Sequence, residues 1–191
     1  MLVFKIAFWL NTVLQIVIRA PFGMSTRSRK KTEQHVSTTE NILLILLTIT
    51  TGVLPLIYSV TNWLAFANYT LPTWMGWTGI LIMACSLFVF WRAHYDLKSN
   101  WSPSLELYEG HTLITNGIYK YIRHPMYASL LLANIAQILL IQNWIAGPIS
   151  IIMFILFYTF RSSAEEKMMT EKFGDPYREY KKATGGILPK L

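Results

Sequence analysis

The chain has 191 residues, of which 53% are hydrophobic and 14% charged, and its mean hydropathy is +0.36. Soluble domains carry charge on about a quarter of their positions, so this composition argues against a soluble protein and favours a membrane protein. The net charge of +7 would suit nucleic acid, but no basic helix with interleaved stacking residues lies outside the apolar segments. We therefore predict no nucleic-acid partner and place the basic residues beside anionic lipid headgroups.

The charged residues, apart from Lys5, are confined to three blocks, 19–40, 92–123 and 161–190. Residues 41–91 and 124–160 contain no Asp, Glu, Lys or Arg. A helix that crosses a membrane needs about 20 apolar residues, with about 17 at the short limit. The first uncharged stretch can therefore hold two spans, and the second can hold two short ones.

We predict an all-α, polytopic membrane protein with five transmembrane helices. In chain order these are residues 2–18, 41–64, 73–91, 126–142 and 144–160. Pro55 is expected to kink the second helix, and Pro148 to lie in the first turn of the fifth. Because only Asn143 and its neighbours separate the last two helices, they are expected to form a tight antiparallel hairpin. The predicted division is an N-terminal three-helix membrane region, 1–92, and a C-terminal region, 93–191.

The basic residues also predict the orientation in the membrane. Lys and Arg favour the cytoplasmic side, and the first loop contains Arg19, Arg27, Arg29, Lys30 and Lys31. An odd number of spans then places the N-terminus outside and both later polar segments in the cytoplasm. The prediction is a multi-pass integral membrane protein, of the plasma membrane in a prokaryote or the endoplasmic reticulum in a eukaryote.

Two polar segments flank the predicted hairpin and must meet at its open end, so residues 111–127 are expected to lie close to 161–166. His124 precedes Pro125, which suits the first turn of a helix. A helix N-terminus attracts a carboxylate or phosphate, and Arg123 strengthens that field. The alternative is purely structural: Arg123 at lipid headgroups, His124 as a cap and Pro125 as a helix start.

The second segment begins with Arg161, Glu165 and Glu166 at the boundary of an apolar span, where ionisable groups need partners. Arg161 and Glu165 are four residues apart and are expected to face each other. A ligand with one cationic and one anionic end would satisfy both groups. The alternative is a solvated acidic patch on an amphipathic helix. Further on, Gly174 is expected to end one helix and Asp175 to start the next.

Several kinds of site are excluded by spacing. The four histidines, His35, His94, His111 and His124, show no paired ligand spacing, and the single Cys85 lies within a span, so we predict no metal and no disulfide framework. The sequence has no G-x-G-x-x-G motif and no P-loop. A nucleotide-like cofactor would therefore occupy a non-Rossmann site.

Three blocks occur in order: HTLITNGIYKYIRHPMY from His111, RSSAEE from Arg161, and FGDPYREYKK from Phe173. They resemble the isoprenylcysteine carboxyl methyltransferase family and related bacterial, archaeal and phospholipid methyltransferases. The resemblance covers about half of the chain, from residue 100 onwards. It implies an S-adenosylmethionine-dependent methyltransferase, with residues 93–191 as the catalytic region and a pocket closed by the last two helices and their cytoplasmic segments.

The resemblance also implies roles for the matched residues. Cofactor contacts are expected from His111, Thr112, Leu113, Ile114, Tyr119, His124, Pro125, Met126, Tyr127 and Glu165, with Arg123 and Glu166 as additional candidates. Arg161 is expected to be the catalytic residue that orients the acceptor. A carboxylate acceptor needs no general base, whereas a thiol or amine would need one, and Glu166 or His124 are the candidates.

The implied acceptor is the α-carboxylate of an S-prenylated cysteine or a similar lipidic molecule, at the end of a protein or free in the membrane. Methylation of a phospholipid amine or of a thiol is the alternative within the same chemistry. Two alternatives involve no methyl transfer. One is a sterol-type NADPH-dependent membrane reductase, which would carry a similar His-Pro step, and the other is a membrane scaffold without catalytic activity. The predicted partners are this acceptor and membrane lipids.

Overall fold

The structure is a computed structural model that describes residues 2–27, 31–34, 37–100, 106–108 and 112–190. Its helices and strands are α1 (Leu2–Arg27), β1 (Lys31–Gln34), α2 (Thr38–Thr48), α3 (Leu54–Val60), α4 (Thr73–Leu97), β2 (Glu106–Tyr108), α5 (Pro125–Leu140), α6 (Ile149–Phe173) and α7 (Asp175–Ala183). β1 and β2 form one short, irregular antiparallel pair. The other regular elements of the described residues are helices, as predicted, and irregular segments connect them.

Three helical stretches among the described residues are long and apolar enough to cross a membrane: Leu2–Gly23, Thr38–Val60 and Thr73–Leu97. They match the first three predicted spans, although α1 and α4 extend beyond the predicted ends. α5 is apolar but has only 16 residues, and α6 carries six charged residues in its second half. The fourth and fifth spans therefore remain predictions.

Pro55 is accommodated by a widened turn. α2 and α3 are joined into one continuous helix by a π turn, Ile49–Val53, in which Leu54 N–H donates to the Ile49 carbonyl. In this register the Thr50 carbonyl would bond the residue-55 N–H, which proline lacks. The Gln137 side chain of α5 donates to it instead, with an Nε2–O distance of 2.9 Å. The disruption predicted at Pro55 thus takes the form of a π turn that is satisfied by a neighbouring helix.

α5 packs most closely on α4 rather than on α6. Gly79 allows this approach, because a Cβ atom there would lie 2.9 Å from the Leu139 Cβ. The buried side chains between the helices, with those of α1 and α3, form an apolar core that contains Phe4, Phe8, Tyr58, Met83, Ala136 and Leu140. A second apolar cluster, around Phe154 and Phe157, joins α6 to α2 and α5.

The predicted start of the fifth helix at Trp144 is wrong, because α6 begins at Ile149 with Pro148 as its N-cap residue. The Asn143 side chain accepts hydrogen bonds from the N–H groups of Ile145 and Ala146, both at 3.0 Å, and holds the chain in turns. The connection between α5 and α6 is therefore longer than a tight hairpin allows. α6 also continues beyond residue 160, the predicted end of the fifth span, as far as Phe173.

The α6–α7 junction agrees with the sequence. Gly174 has a φ of +60°, a conformation that costs glycine little, and α7 follows at once with Pro176 in its first turn. Tyr177 is only 2% exposed. The Tyr180 hydroxyl donates to the Tyr119 carbonyl at 2.6 Å, so α7 packs against the segment that precedes α5.

The bundle has two distinct ends. At one, which we call the neutral end, residues 61–72 contact residues 141–148: Trp144 N–H donates to the Ala67 carbonyl at 2.9 Å. At the other, which we call the charged end, residues 112–127 meet residues 161–166 and 175–186. The start of α2 also reaches the charged end, through an ion pair between Glu40 and Arg161.

Candidate functional site

The segment that leads into α5 is anchored on the end of α4. The Asp96 carboxylate accepts a hydrogen bond from Ile118 N–H at 2.8 Å and pairs with Arg92 at 2.9 Å. Gly117 has a φ of +59°, and a Cβ there would lie 2.2 Å from the Asp96 Oδ2. This position therefore requires glycine, both for its backbone conformation and for the close approach of Asp96.

The C-terminal tail fixes the residues immediately before α5. Residues 122–124 run parallel to 185–186, with Arg123 N–H donating to the Gly185 carbonyl at 2.8 Å and His124 N–H to the Gly186 carbonyl at 3.1 Å. His124 is the N-cap residue of α5, but its side chain makes no capping hydrogen bond. The imidazole is thus held by backbone pairing and is directed to other partners.

Glu166 is the centre of the first polar network. Its carboxylate contacts three side chains: Arg123 Nη2 at 2.8 Å, His124 Nε2 at 3.1 Å and Lys181 Nζ at 2.5 Å. The hydrogen bond from His124, followed by those from Lys181 and Arg123, lowers the pKa of Glu166 well below its usual range. An ionised carboxylate only accepts, so His124 Nε2 carries a proton, and in the neutral imidazole Nδ1 presents a lone pair.

The remaining contacts of Arg123 are with α7. Its Nη1 donates to the Lys181 carbonyl at 3.1 Å and to the Thr184 carbonyl. A cation is favourable at the C-terminal end of a helix, where carbonyl groups lack intrahelical partners. Arg123 is therefore bonded to the protein itself in this structure, and direct binding of a ligand by Arg123 stays a prediction.

The second polar network connects three helices. Arg161 of α6 pairs with Glu40 of α2, and its Nε donates to the Tyr127 hydroxyl at 2.9 Å. That hydroxyl donates in turn to Glu165 Oε2 at 2.8 Å. Arg161 and Glu165 were expected to face each other on one helix; Tyr127 of α5 stands between them and links them. Arg161 is 8% exposed and Glu40 is 2% exposed.

The two networks approach each other at His124 and Glu165. His124 is 4% exposed, and its Nδ1 has no hydrogen-bond partner among the described residues. The nearest acidic atom, Glu165 Oε1, lies 3.9 Å away. The prediction that residues 111–127 meet residues 161–166 is therefore confirmed for the described residues, 112–127. The result is a corner in which a buried nitrogen and a partly exposed carboxylate oxygen lie side by side.

The other predicted contact residues are less close to this corner. Thr112 is exposed, and its N–H donates to Asn100 Oδ1 at 2.8 Å, while Leu113 and Ile114 are half-buried. The Tyr119 hydroxyl is directed to the Ala93 carbonyl of α4, 3.4 Å away, and burial raises its pKa. Pro125 is buried and Met126 half-buried in the first turn of α5. His111 lies outside the described residues.

Two residues of the networks were missed by the sequence analysis. Lys181 lies in the motif block FGDPYREYKK but carried no assigned role, and it bonds Glu166 from α7. Glu40 was counted only as the last charge before an apolar stretch. Glu40 lies in the first turn of a helix that has no other charged residue. An acidic group at the edge of an apolar span needs a partner, so this position could have predicted an ion pair.

Comparison with known proteins finds a family match over the region that contains most residues of the two networks. A model described as the isoprenylcysteine carboxyl methyltransferase (ICMT) family matches residues 77–171. Over these residues the chain belongs to the ICMT family. The matched region includes most of α4, all of α5 and most of α6, and with them every member of the two networks except Glu40 and Lys181.

Curated relatives agree with the ICMT family. The chain is 29% identical over 140 residues to protein-S-isoprenylcysteine O-methyltransferase of Homo sapiens (69% of this chain, 49% of the relative), and 31% identical over 137 residues to that of Dictyostelium discoideum (68% and 55%). It is also 29% identical over 140 residues to methanethiol S-methyltransferase of Pseudomonas deceptionensis (71% and 50%). The chain thus spans about half the length of the curated relatives it matches.

A solved structure of a eukaryotic intramembrane Ras methyltransferase of the ICMT family shares the fold. The TM-score is 0.54 at 22% sequence identity, and the match covers 80% of this chain and 51% of the other. Together with the apolar helices, the comparisons identify a membrane protein with an ICMT-like fold. Methyl transfer with S-adenosylmethionine is implied by the family, and the acceptor is a separate question.

Proposed function

We propose that the chain is an S-adenosylmethionine-dependent methyltransferase whose preferred acceptor is the α-carboxylate of an S-prenylated cysteine or a similar lipidic molecule. The observation that supports this most directly is the corner of His124 Nδ1 and Glu165 Oε1, 3.9 Å apart, at one end of a bundle of apolar helices. Buried polar atoms are normally hydrogen-bonded, so His124 Nδ1, which has no partner in the part of the chain that the structure describes, is suited to a ligand.

The residues at the corner fit the cofactor that the family implies. S-adenosylmethionine supplies an electrophilic methyl group on a positively charged sulfonium and also carries an ammonium, a carboxylate and ribose hydroxyls. Glu165 would bind the ammonium or the ribose through Oε1, because Oε2 already accepts from Tyr127. His124 Nδ1 would accept a hydrogen bond from an N–H or O–H group. The ring of Tyr127, with its centroid 5.6 Å from that of His124, offers an aromatic face to a cation.

Arg161 would orient the acceptor. It lies at the charged end of α6, and Phe157, one turn earlier on the same helix, is part of the second apolar cluster. A carboxylate is already ionised at neutral pH, so the protein needs to position it and to exclude water rather than to remove a proton. A lipidic acceptor would reach Arg161 sideways, between apolar helices. This is consistent with a charged end that adjoins the membrane-spanning segments.

Thiol methylation is the second candidate, and two observations favour it. One relative acts on methanethiol according to its name. In addition, the Glu166–His124 pair could take up a proton: Glu166 holds the Nε2–H, and Nδ1 is left as the basic atom. A thiol loses its proton before or during attack, so this pair would serve a thiol acceptor and would be unnecessary for a carboxylate.

A single assay separates the candidates. The full-length chain, purified in detergent, is incubated with methyl-labelled S-adenosylmethionine and, separately, with a prenylcysteine, phosphatidylethanolamine or a small alkyl thiol. A labelled product that releases methanol in base identifies a carboxyl ester. A volatile labelled thioether identifies a thiol acceptor, and a base-stable label in phosphatidylethanolamine identifies amine methylation. Absence of label with every acceptor, together with no binding of S-adenosylmethionine, would contradict the proposed function.

A further inference from the structure

Glu40 contributes to the site from outside the region that matches the family, which begins at residue 77. Its carboxylate is 2% exposed and pairs with Arg161 Nη1. The contact forms because α2 packs against α6. No role for Glu40 follows from the three sequence blocks that carry the family resemblance.

The conformation of Glu40 departs from the one that its local sequence favours. Ser37 and Glu40 have the spacing of a capping box, in which the serine hydroxyl and the glutamate carboxylate each accept a hydrogen bond from the other residue's N–H. Half of that arrangement is present, because the Ser37 hydroxyl accepts from Glu40 N–H at 3.1 Å. The Glu40 carboxylate, however, is directed across to Arg161. Tertiary contact with Arg161 therefore outweighs the local cap.

Glu40 also decides the charge balance of the two networks. Their positively charged side chains are Arg123, Arg161 and Lys181, and their negatively charged side chains are Glu40, Glu165 and Glu166. Within these two networks the charges balance when His124 is neutral, and Arg19 of α1, whose charge acts on Arg161, lies outside them. Without Glu40 the same networks would carry one excess positive charge beside Arg161. Buried charges are weakly screened. The Glu40 carboxylate, in direct contact with Arg161, therefore strongly repels any second anion that approaches Arg161.

We propose that Glu40 sets the charge selectivity of the acceptor site. An acceptor carboxylate must share Arg161 with the Glu40 carboxylate or displace Glu40 from it. The Glu40 carboxylate also repels the acceptor carboxylate. An uncharged acceptor group leaves the Glu40–Arg161 pair intact. Glu40 therefore shifts the preference of the site towards uncharged acceptors, in comparison with a site where Arg161 stands opposite a neutral residue. This inference rests on the proposed function only in placing the acceptor at Arg161.

The test measures binding rather than turnover. An S-farnesyl thioether carboxylic acid and its primary amide differ in one charge and little in shape. Their dissociation constants are measured with the full-length protein in detergent, without cofactor, for the parent chain and for three variants: Glu40→Gln, Glu40→Asp and Glu171→Gln. Glu171 is an exposed residue of α6 whose neutralisation changes the net charge by the same amount, away from the networks.

We expect Glu40→Gln to raise the affinity for the acid relative to the amide by at least about tenfold, since removal of a nearby like charge favours the anion. Glu40→Asp keeps the charge and should keep the parent ratio, as should Glu171→Gln. The ratio is insensitive to a loss of folded protein, because both probes report on the same folded fraction. If Glu40 had only a structural role, the ratio of the two affinities would therefore not change in Glu40→Gln.

An unchanged or lowered ratio in Glu40→Gln would overturn the inference, and so would failure of the parent and all variants to bind either probe. These results are separable from the fate of the proposed function. If the ratio shifts but the protein transfers no methyl group, the proposed selectivity is supported and the proposed reaction is contradicted. If the protein methylates prenylcysteine but the ratio does not change in Glu40→Gln, the proposed reaction is supported and the proposed selectivity is contradicted.

Discussion

α5 begins in the charged end of the bundle and ends in the neutral end, and the two ends treat their buried polar groups differently. At the neutral end, the Asn143 amide donates to the Leu64 carbonyl at 2.7 Å and to Asn68 Oδ1 at 2.8 Å, and its oxygen accepts two backbone N–H groups. The Tyr69 hydroxyl donates to the Ile138 carbonyl at 2.5 Å. These side chains are neutral and are bonded mainly to the backbone.

At the charged end, ionised side chains are bonded mainly to one another. Burial of a charge is costly even when it is paired, and replacement of such pairs by apolar residues is often stabilising. In addition, His124 Nδ1 is buried without a hydrogen-bond partner among the described residues. The polar residues of the neutral end therefore satisfy backbone groups of the fold, whereas for the charged end we propose a role in binding and chemistry.

The largest effect on stability is expected at the neutral end. Asn143→Ala removes four hydrogen bonds and leaves backbone groups of two connecting segments without partners. We expect a loss of about 2–4 kcal/mol in the free energy of unfolding. The measurement is chemical denaturation of the purified protein in detergent. The affinity for S-adenosylmethionine, measured at a temperature where the variant is folded, should stay within about twofold of the parent value; a larger loss would remove the distinction between the two ends.

The next effect should appear in cofactor affinity rather than stability. Glu165→Gln keeps the shape of the side chain and removes the charge expected to bind an ammonium or ribose group. Hydrogen bonds to charged groups contribute about 1.5–3 kcal/mol, so the dissociation constant of S-adenosylmethionine should rise roughly 10- to 150-fold. Equilibrium binding of the labelled cofactor measures it, with Glu171→Gln as the matched control. An unchanged titration would exclude Glu165 from the cofactor site.

The smallest effect concerns pH. Hydrogen bonds from His124, Lys181 and Arg123 lower the pKa of Glu166 in the folded protein. A carboxyl group with a depressed pKa stabilises the fold above its unfolded value of about 4.3, and this stabilisation is lost as pH falls below that value. The slope for this one group is at most about 1.4 kcal/mol per pH unit. Comparison of denaturation midpoints between pH 5.5 and 3.5 should show a weaker pH dependence in Glu166→Gln; equal slopes would show that Glu166 is not held ionised by these bonds.

Sequence reasoning succeeded where a pattern is local or where connectivity leaves one outcome. The Gly174–Asp175 break between α6 and α7 is local turn and helix-start chemistry, and it was predicted correctly. The meeting of residues 111–127 with 161–166 follows from two helices that return the chain to the side it left. Trp144 was misplaced in a helix because the Asn143 side chain, which holds the turn, acts through contacts with residues 61–72 that are distant in sequence.

The order of amino acids was thus sufficient for the membrane character, the family resemblance and the identity of most residues at the charged end, since apolar runs and motif blocks are readable along one dimension. The pairing of Glu40 with Arg161, the place of Tyr127 between Arg161 and Glu165, and the capture of Glu166 by Lys181 emerged only when α2, α5, α6 and α7 were packed together. The physical reason is that a buried charge takes whichever partner the fold brings within about 4 Å, and sequence distance does not enter that choice.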